Sequence, residues 1–387
     1  MRVENARMKI ALVVPGGVDR SGTQRVIPAL LWLVERLARA HEVHIFALYQ
    51  EPRPSRYQLL GVTVHNVGRG HTGWRTLGAI MQEHRRRAFD IFHAFWAVPP
   101  GVLAACAGRL LRRPVLLHLA GGELVTLHDI GYGGRRTLRD RTWLRLALAG
   151  ATSISAASEP MRKDAARLGY RTVRLPLGAD RAAWPVRAPR ARDPSRPARL
   201  LHVASLNRVK DQPTLLRAAA LVAHEGVPFS LDVVGVDTLN GEIQGTALSL
   251  GVSDRVTFHG FLPQAELHPL VERADLLLMS SRHEAGPIVV LEAALTGVPT
   301  VGTAVGHIAE WQPEAAVAVP VGDPEALARE TAALLADDER RTRIAAAAQR
   351  RAIAEDADWT ARQVLAIYAA LTRSDASSQG RHERDRN

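Results

Sequence analysis

The sequence has one cysteine, Cys106, in 387 residues. A lone thiol excludes a disulfide framework and any zinc or iron–sulfur site built from several cysteines. Lysine is nearly as scarce. Lys9, Lys163 and Lys210 are the only three, and the other 47 of the 50 basic residues are arginine. Long apolar runs are also missing. The longest stretch, roughly residues 94–108, is broken by Pro99 and Pro100 and falls short of the ~20 residues that span a bilayer. The first residues, Met1 to Arg7, lead into an apolar segment of strand type rather than a cleavable leader. These absences lead us to expect a cytoplasmic chain, at most peripheral at the inner face of the plasma membrane.

What is present is ordinary globular composition, 47% hydrophobic and 23% charged, which excludes a disordered or fibrous chain. The length suggests two or three domains at about 150 residues each. The net charge of +11 is unevenly placed. Residues 1–187 hold 29 basic and 13 acidic side chains, and residues 188–387 hold 21 and 26. The first half therefore suits an anionic partner. No nucleic-acid-binding module accompanies the charge, so a membrane surface or an acidic substrate is the expectation.

Apolar segments alternate with amphipathic ones in both halves. Residues 9–15 form an unbroken apolar run, as in a strand buried on both faces of a parallel sheet. A Gly-rich turn follows at 16–22, then a helical pattern over 23–40 and a strand over 41–48. Further strands are expected at 90–95, 114–119 and 152–156, with a helix from about 159. Four prolines in the aperiodic stretch 181–199 mark a linker. The alternation then resumes with a strand at 200–204, a helix from about 211, and strands at 230–234, 255–258 and 275–279. The expected organisation is an N-terminal domain (1–185) and a linker (186–198). A C-terminal domain (199–371) follows, its last helix packing back on the first domain, and then a disordered tail (372–387). Both domains read as doubly wound α/β sheets facing a central cleft, and open sheets bind ligands at the carboxyl ends of their strands.

The chemistry is densest after residue 275. A strand ends, a short loop carries Glu284, and a helix is expected near Pro287, a residue suited to a first helical turn. The amides of Gly286, Pro287's neighbour Ile288, and Val289 would meet an anion at that helix start. Glu292 lies about 7–8 Å further along the helix axis. Carboxylates repel phosphate but accept hydroxyl hydrogen bonds, so two of them flanking a diphosphate describe a nucleotide-sugar. Lys210, in the turn Ser205 to Asp211, is the expected compact cation for that diphosphate.

Glu284, Glu292, Gly297 and Pro299 match the E-x7-E and following Gly-x-Pro pattern of a known family. Residues 301–310 and 321–328 continue the likeness. Residues 204–211 align with its G-R-L-x3-K-G turn, and 176–180 with its P-x-G-x-D turn. The chain thus resembles the retaining GT-B glycosyltransferases of family 4, the glycosyl transferases group 1, over most of residues 8–371. It departs in two places. Ser205 stands where the family has arginine, with Arg208 nearby, and Ala120 to Glu123 stand where it has H-G-x-D, with His118 two residues earlier.

The resemblance implies two Rossmann-like domains and a metal-independent hexosyl transfer to an acceptor hydroxyl with the anomeric configuration retained. The acceptor implied is a glycan or a lipid-linked one, in polysaccharide or cell-envelope synthesis. No cofactor is implied beyond the nucleoside-diphosphate sugar as co-substrate. Glu284, Lys210 and His118 would be catalytic. Gly17, Gly22, Ser205, Arg208, Lys210, Glu284, Glu292 and residues 286–289 would bind the donor. A non-catalytic glycosyltransferase-like subunit, a sugar phosphorylase or an epimerase of the same fold are the alternatives. Asp356 and Asp358 spell a metal-type D-x-D string, but Asp358 reads better as a helix N-cap. Residues 135–148 read as a basic helix with Trp143 as an aromatic anchor, and Arg85, Arg86 and Arg87 form a second basic cluster; both suit an anionic membrane face.

Overall fold

A computed structural model describes residues 7–384, with side chains to residue 374. The chain divides into two compact units. One takes the residues up to Ala157, Met161–Leu177 and those from Ala357; the other takes Ser158–Pro160 and Gly178–Asp356.

In the first unit the strands are β1 (Lys9–Val14), β2 (Glu42–Ala47), β3 (Ser55–Leu59), β4 (Val62–Asn66), β5 (Ile91–Phe95), β6 (Val115–Leu119), β7 (Ser153–Ala156) and β8 (Val173–Arg174). They form one sheet in the order β3-β4-β2-β1-β5-β6-β7-β8, parallel except for the β3–β4 pair. Every residue of β1 is buried, which is why its sequence shows no alternation. The helices are α1 (Pro28–Ala38), α2 (Thr72–Arg86), α3 (Val102–Leu111), α4 (Leu138–Ala149) and α5 (Glu159–Arg167). α1 starts at Pro28 rather than at residue 23, because residues 18–26 belong to a pinned loop: Val18 bridges Val26, and Ile27 N donates to Gly17 O at 2.9 Å. The β3–β4 hairpin and α2 were not expected from the sequence.

The second unit holds β9 (Ala198–Val203), β10 (Phe229–Val234), β11 (Val256–Gly260), β12 (Leu276–Met279), β13 (Thr300–Thr303) and β14 (Val317–Val319). All are parallel in the order β11-β10-β9-β12-β13-β14. Around them lie α6 (Gln212–His224), α7 (Glu242–Ser249), α8 (Gln264–Arg273), α9 (Ile288–Leu295), α10 (Gly306–Trp311), α11 (Pro324–Ala336) and α12 (Asp338–Ala354).

The boundary falls at Leu177/Gly178 rather than at residue 185, and the proline-rich stretch is not a free linker. Trp184 is fully buried in the second unit and stacks on His268 at 4.9 Å. Arg190 donates to the carbonyls of Arg273 and Ala274 that end α8, and buried Arg341 returns a bond to Arg190 O. Arginines replace solvent along the stretch, which is how a sequence with no periodicity is held in place.

The last helix, α13 (Ala357–Arg384), belongs to the first unit. Its Ala361, Val364 and Tyr368 are buried in that unit's core with α1 and β1. Residues 372–384 of the tail read as disordered are helical; 385–387 lie outside the described residues. Asp358 lies in the first turn of α13 rather than at its N-cap, and its Oδ1 accepts from Arg36 Nε at 2.6 Å. No helix of the described residues is long and apolar enough to cross a membrane.

Candidate functional site

β9 and β12 are neighbours where the second sheet reverses direction: later strands continue outward on both sides of them. Ligands of open α/β sheets bind beyond the strand carboxyl ends at such a point. The loop leaving β9 carries Lys210, and the loop leaving β12 carries Glu284. Their side chains meet, Lys210 Nζ lying 2.5 Å from Glu284 Oε1. Ser281 Oγ donates to the same oxygen at 2.7 Å.

The backbone beneath is cross-tied. Ser280 Oγ donates to Lys210 O at 2.8 Å, Arg282 N donates to Val209 O at 2.8 Å, and Thr303 Oγ1 donates to Ser281 O at 2.5 Å. Asn207 closes the Lys210 turn, its side chain accepting from the amides of Val209 and Lys210. Below it, fully buried His202 donates from Nδ1 to Leu278 O and accepts at Nε2 from Gln212, which also donates to Ser205 O. Burial pushes the His202 imidazole down to about 4, so this string is neutral and holds the turn without adding charge. Gly306, at φ +50°, lies against Glu284 and Pro287; a Cβ there would be 2.8 Å from Pro287 Cδ and 3.0 Å from Glu284 Cβ.

α9 begins at Ile288 with Pro287 as its extended N-cap. Gly286 and Pro287 therefore lie in the turn between Glu284 and the helix, and Ile288 and Val289 lie in the helix's first turn. Glu292, on the second turn, is 5% exposed. Burial pushes its carboxyl up to about 8, and the indole of fully buried Trp184 offsets only a little of this. Glu292 is thus a neutral carboxylic acid at pH 7, able both to donate and to accept a hydrogen bond.

Two expected donor residues stand apart from this pair. Arg208 Nη2 pairs with Glu242 Oε2 of α7 at 3.0 Å. Ser205 contributes its carbonyl to the Gln212 bond rather than a side chain to the pair, and that side chain is exposed.

In the first unit, the space a Cβ on Gly17 would need is filled by Ile27, 2.4 Å away, and Gly22 N donates to Asp19 O at 2.9 Å. Both glycines hold left-handed backbone, Gly17 at φ +81° and Gly22 at φ +69°. His118 lies inside the sheet with no exposure; Nδ1 is 2.9 Å from Ser155 Oγ, and burial pushes the imidazole down to about 3. A ring so placed is neutral and reaches no solvent-borne substrate. The strand-end position read from the sequence misled because β6 is buried along its whole length.

The basic clusters also divide. Arg86 pairs with Glu83 and Arg87 with Glu42, so two of the three arginines at 85–87 serve the unit's own fold. Arg135 and Arg136 bond backbone carbonyls ahead of α4, and α4 itself starts on a capping box of Thr137 and Asp140. Leu138 and Leu146 are exposed on α4, and Trp143 is 40% exposed.

Two Rossmann-like domains, with a cation and acids at the strand ends of the second, make up a GT-B fold. Two family models match the chain: "Glycosyl transferases group 1" over residues 188–351 and "Glycosyl transferase 4-like domain" over residues 26–178. The D-inositol 3-phosphate glycosyltransferase of Corynebacterium urealyticum is 31% identical over 178 residues, 44% of this chain and 42% of that protein. The chain's match thus spans less than half of that relative. The putative glycosyltransferase EpsF of Bacillus subtilis is 26% identical over 321 residues, covering 77% of this chain and 79% of that one. Among solved structures, the sucrose-phosphate synthase of Thermosynechococcus elongatus shares the fold with a TM-score of 0.80 at 21% identity, over 95% of this chain and 100% of that one. HepE of Anabaena in complex with UDP and glucose does so with a TM-score of 0.72 at 20% identity, over 94% and 100%.

Several residues of the site escaped the sequence reading. Asn207, Ser281 and His202 act through hydrogen bonds that no spacing announces. Trp184 looked like part of a linker. Gly306 lay within a stretch noted for its likeness to the family, but its contact with Glu284 is a property of the fold.

Proposed function

We propose that the chain is a retaining glycosyltransferase of family 4 that moves a hexosyl group from a nucleoside-diphosphate sugar to an acceptor hydroxyl. The observation that carries this is the Lys210–Glu284 pair on two cross-tied loops at the reversal of the second sheet. Lys210 binds the diphosphate, helped by the turn at residues 286–289 that starts α9. Glu284 takes a donor-sugar hydroxyl, and Glu292 takes the ribose hydroxyls. In the reaction the bond from the sugar's anomeric carbon to the diphosphate oxygen breaks. A new bond to the acceptor oxygen forms on the same face, and the acceptor proton passes to the departing diphosphate. The protein's part is electrostatic: Lys210 faces the negative charge that grows on the leaving group. A cation supplied by the chain supports a metal-independent reaction. HepE, a neighbour in fold, was solved with UDP and glucose, which supports a nucleotide-sugar donor here.

Transfer and donor hydrolysis with UDP-, GDP- and ADP-sugars test the reading. Loss of both in Lys210→Ala and Glu284→Gln is expected, and unchanged turnover in either would reject it.

The acceptor belongs to the first unit and is a glycan or a lipid-linked glycan at an anionic membrane face. What supports this is the face of α3 and α4. A groove of about 810 Å³ there is lined by Arg109, Arg112, Arg113, Trp143 and Leu146, with no acidic residue among the described residues of its lining. Exposed leucines beside arginines suit the boundary between lipid headgroups and acyl chains.

A further inference from the structure

The first sheet also reverses, between β1 and β5. A cavity of about 310 Å³ opens there, lined by Pro15 after β1, Trp96 and Val98 after β5, Glu123 after β6, and Tyr132 and Leu144 beyond. That volume is at the lower end of the ~300–1,000 Å³ of small-molecule sites.

Its walls are built in advance. Trp96 has φ +68° and ψ 140°, a conformation that is strained for a non-glycine residue and clusters at ligand sites. A Cβ on Gly121 would meet the Trp96 indole at 2.7 Å, and one on Gly122 would meet the Tyr132 ring at 2.5 Å. Two successive glycines thus let two aromatic rings close on the end of β6. The loop between is locked by the reciprocal bonds of Leu127 with Tyr132 and by Gly134 N to Gly122 O at 2.8 Å. Glu123, 7% exposed, accepts from Ala120 N at 3.2 Å and Gly121 N at 2.7 Å. Among the described residues, no lysine or arginine lines the cavity.

We propose that this cavity is the acceptor subsite and takes an uncharged six-membered polyol ring, a hexose or cyclitol, rejecting the same ring when it is phosphorylated. The inference rests on the reading that the first unit holds the acceptor. The ring's C–H face lies on an aromatic wall, and its hydroxyls donate to Glu123. A phosphate would face a carboxyl group and no cation.

Saturation-transfer NMR on the full chain tests it, with methyl α-glucoside, methyl α-mannoside and myo-inositol against glucose 6-phosphate and mannose 6-phosphate. The uncharged rings should receive saturation, the phosphate esters at least fivefold less, and Glu123→Gln should narrow that difference. Tyr132→Ala should lower the uncharged-ring signal at least fivefold. Val98→Trp, which fills the cavity from an exposed position, should do the same without removing a wall. Circular dichroism and a melting curve like those of the unaltered protein show that each variant is folded. Equal binding of phosphate esters, no binding of any ring, or binding indifferent to both Tyr132→Ala and Val98→Trp would overturn the subsite. Donor hydrolysis by the unaltered protein reports separately on the transfer reading: turnover without ring binding sinks the subsite alone, and ring binding without turnover sinks the transfer reading alone.

Discussion

Lys210 and Glu284 are 74 residues apart in sequence, and their charged groups meet at 2.5 Å where β9 and β12 end. In the ligand-free site each holds the other, and neither is wasted. The pair keeps an ammonium group and a carboxylate extended toward one small volume, where a diphosphate and a sugar can replace each as the other's partner.

Lys210→Ala should therefore lower transfer at least about 100-fold, the usual scale for removing one group that stabilises a leaving anion. Thermal stability should fall much less, because Ser281 still satisfies Glu284 and the cross-ties from Ser280 Oγ to Lys210 O and from Arg282 N to Val209 O do not use the Lys210 side chain. Steady-state rates beside a melting curve check this. A parallel collapse of both would assign Lys210 to the fold instead.

Glu292 gives a prediction in pH. Its folded carboxyl titrates at about 8, above the ~4.3 of an exposed glutamate. The folded state thus binds more protons than the unfolded one between those values. The stability this group contributes is full below about 4.3 and is lost as pH rises through 8. Glu292→Gln keeps the shape without the titration, so its melting temperature should gain on that of the unaltered protein as pH goes from 5 to 8. A constant difference over that range would contradict the assignment.

Gly306→Ala should weaken donor binding from outside the pair. The new Cβ would press on Pro287 and Glu284 and hold a left-handed backbone at φ +50°, a destabilisation of about 1 kcal/mol or more. Calorimetric titration with a nucleoside diphosphate should show weaker binding, while Gly241→Ala, also at positive φ but with open space around it, should lose stability alone.

The face of α4 predicts salt-sensitive membrane binding. Reversing Arg139 and Arg145 together to glutamate should reduce co-sedimentation with anionic vesicles at least fivefold and leave donor hydrolysis unchanged. Added salt should mimic the variant, because exposed charges are screened beyond about 10 Å at 0.1 M. Equal binding to neutral and anionic vesicles would remove the electrostatic basis.

Much of this was legible in the sequence where one physical cause acts alone. Unbroken apolar runs gave β1 and β12, since a strand covered on both faces admits no polar alternation. Pro287 marked the start of α9, and Lys210 and Glu284 stood out by scarcity and spacing. The hairpin of β3 and β4 was hidden because its two-residue turn is Leu60-Gly61, with only the glycine as a turn signal. His118 misled because strand periodicity says which side a residue faces and not whether that side meets solvent. Glu123, Trp96 and Tyr132 could not be grouped at all, since the end of β5 and two separate stretches of the connection after β6 bring them together.

The most direct test is the shift in unfolding free energy on adding UDP-, GDP- or ADP-sugars to the unaltered protein and to Lys210→Ala. One donor at 100 times its Kd should stabilise the unaltered protein by about 2.7 kcal/mol, and Lys210→Ala should lose most of that shift at the same concentration. A full shift in the variant, or none from any of the three donors in the unaltered protein, would contradict the account.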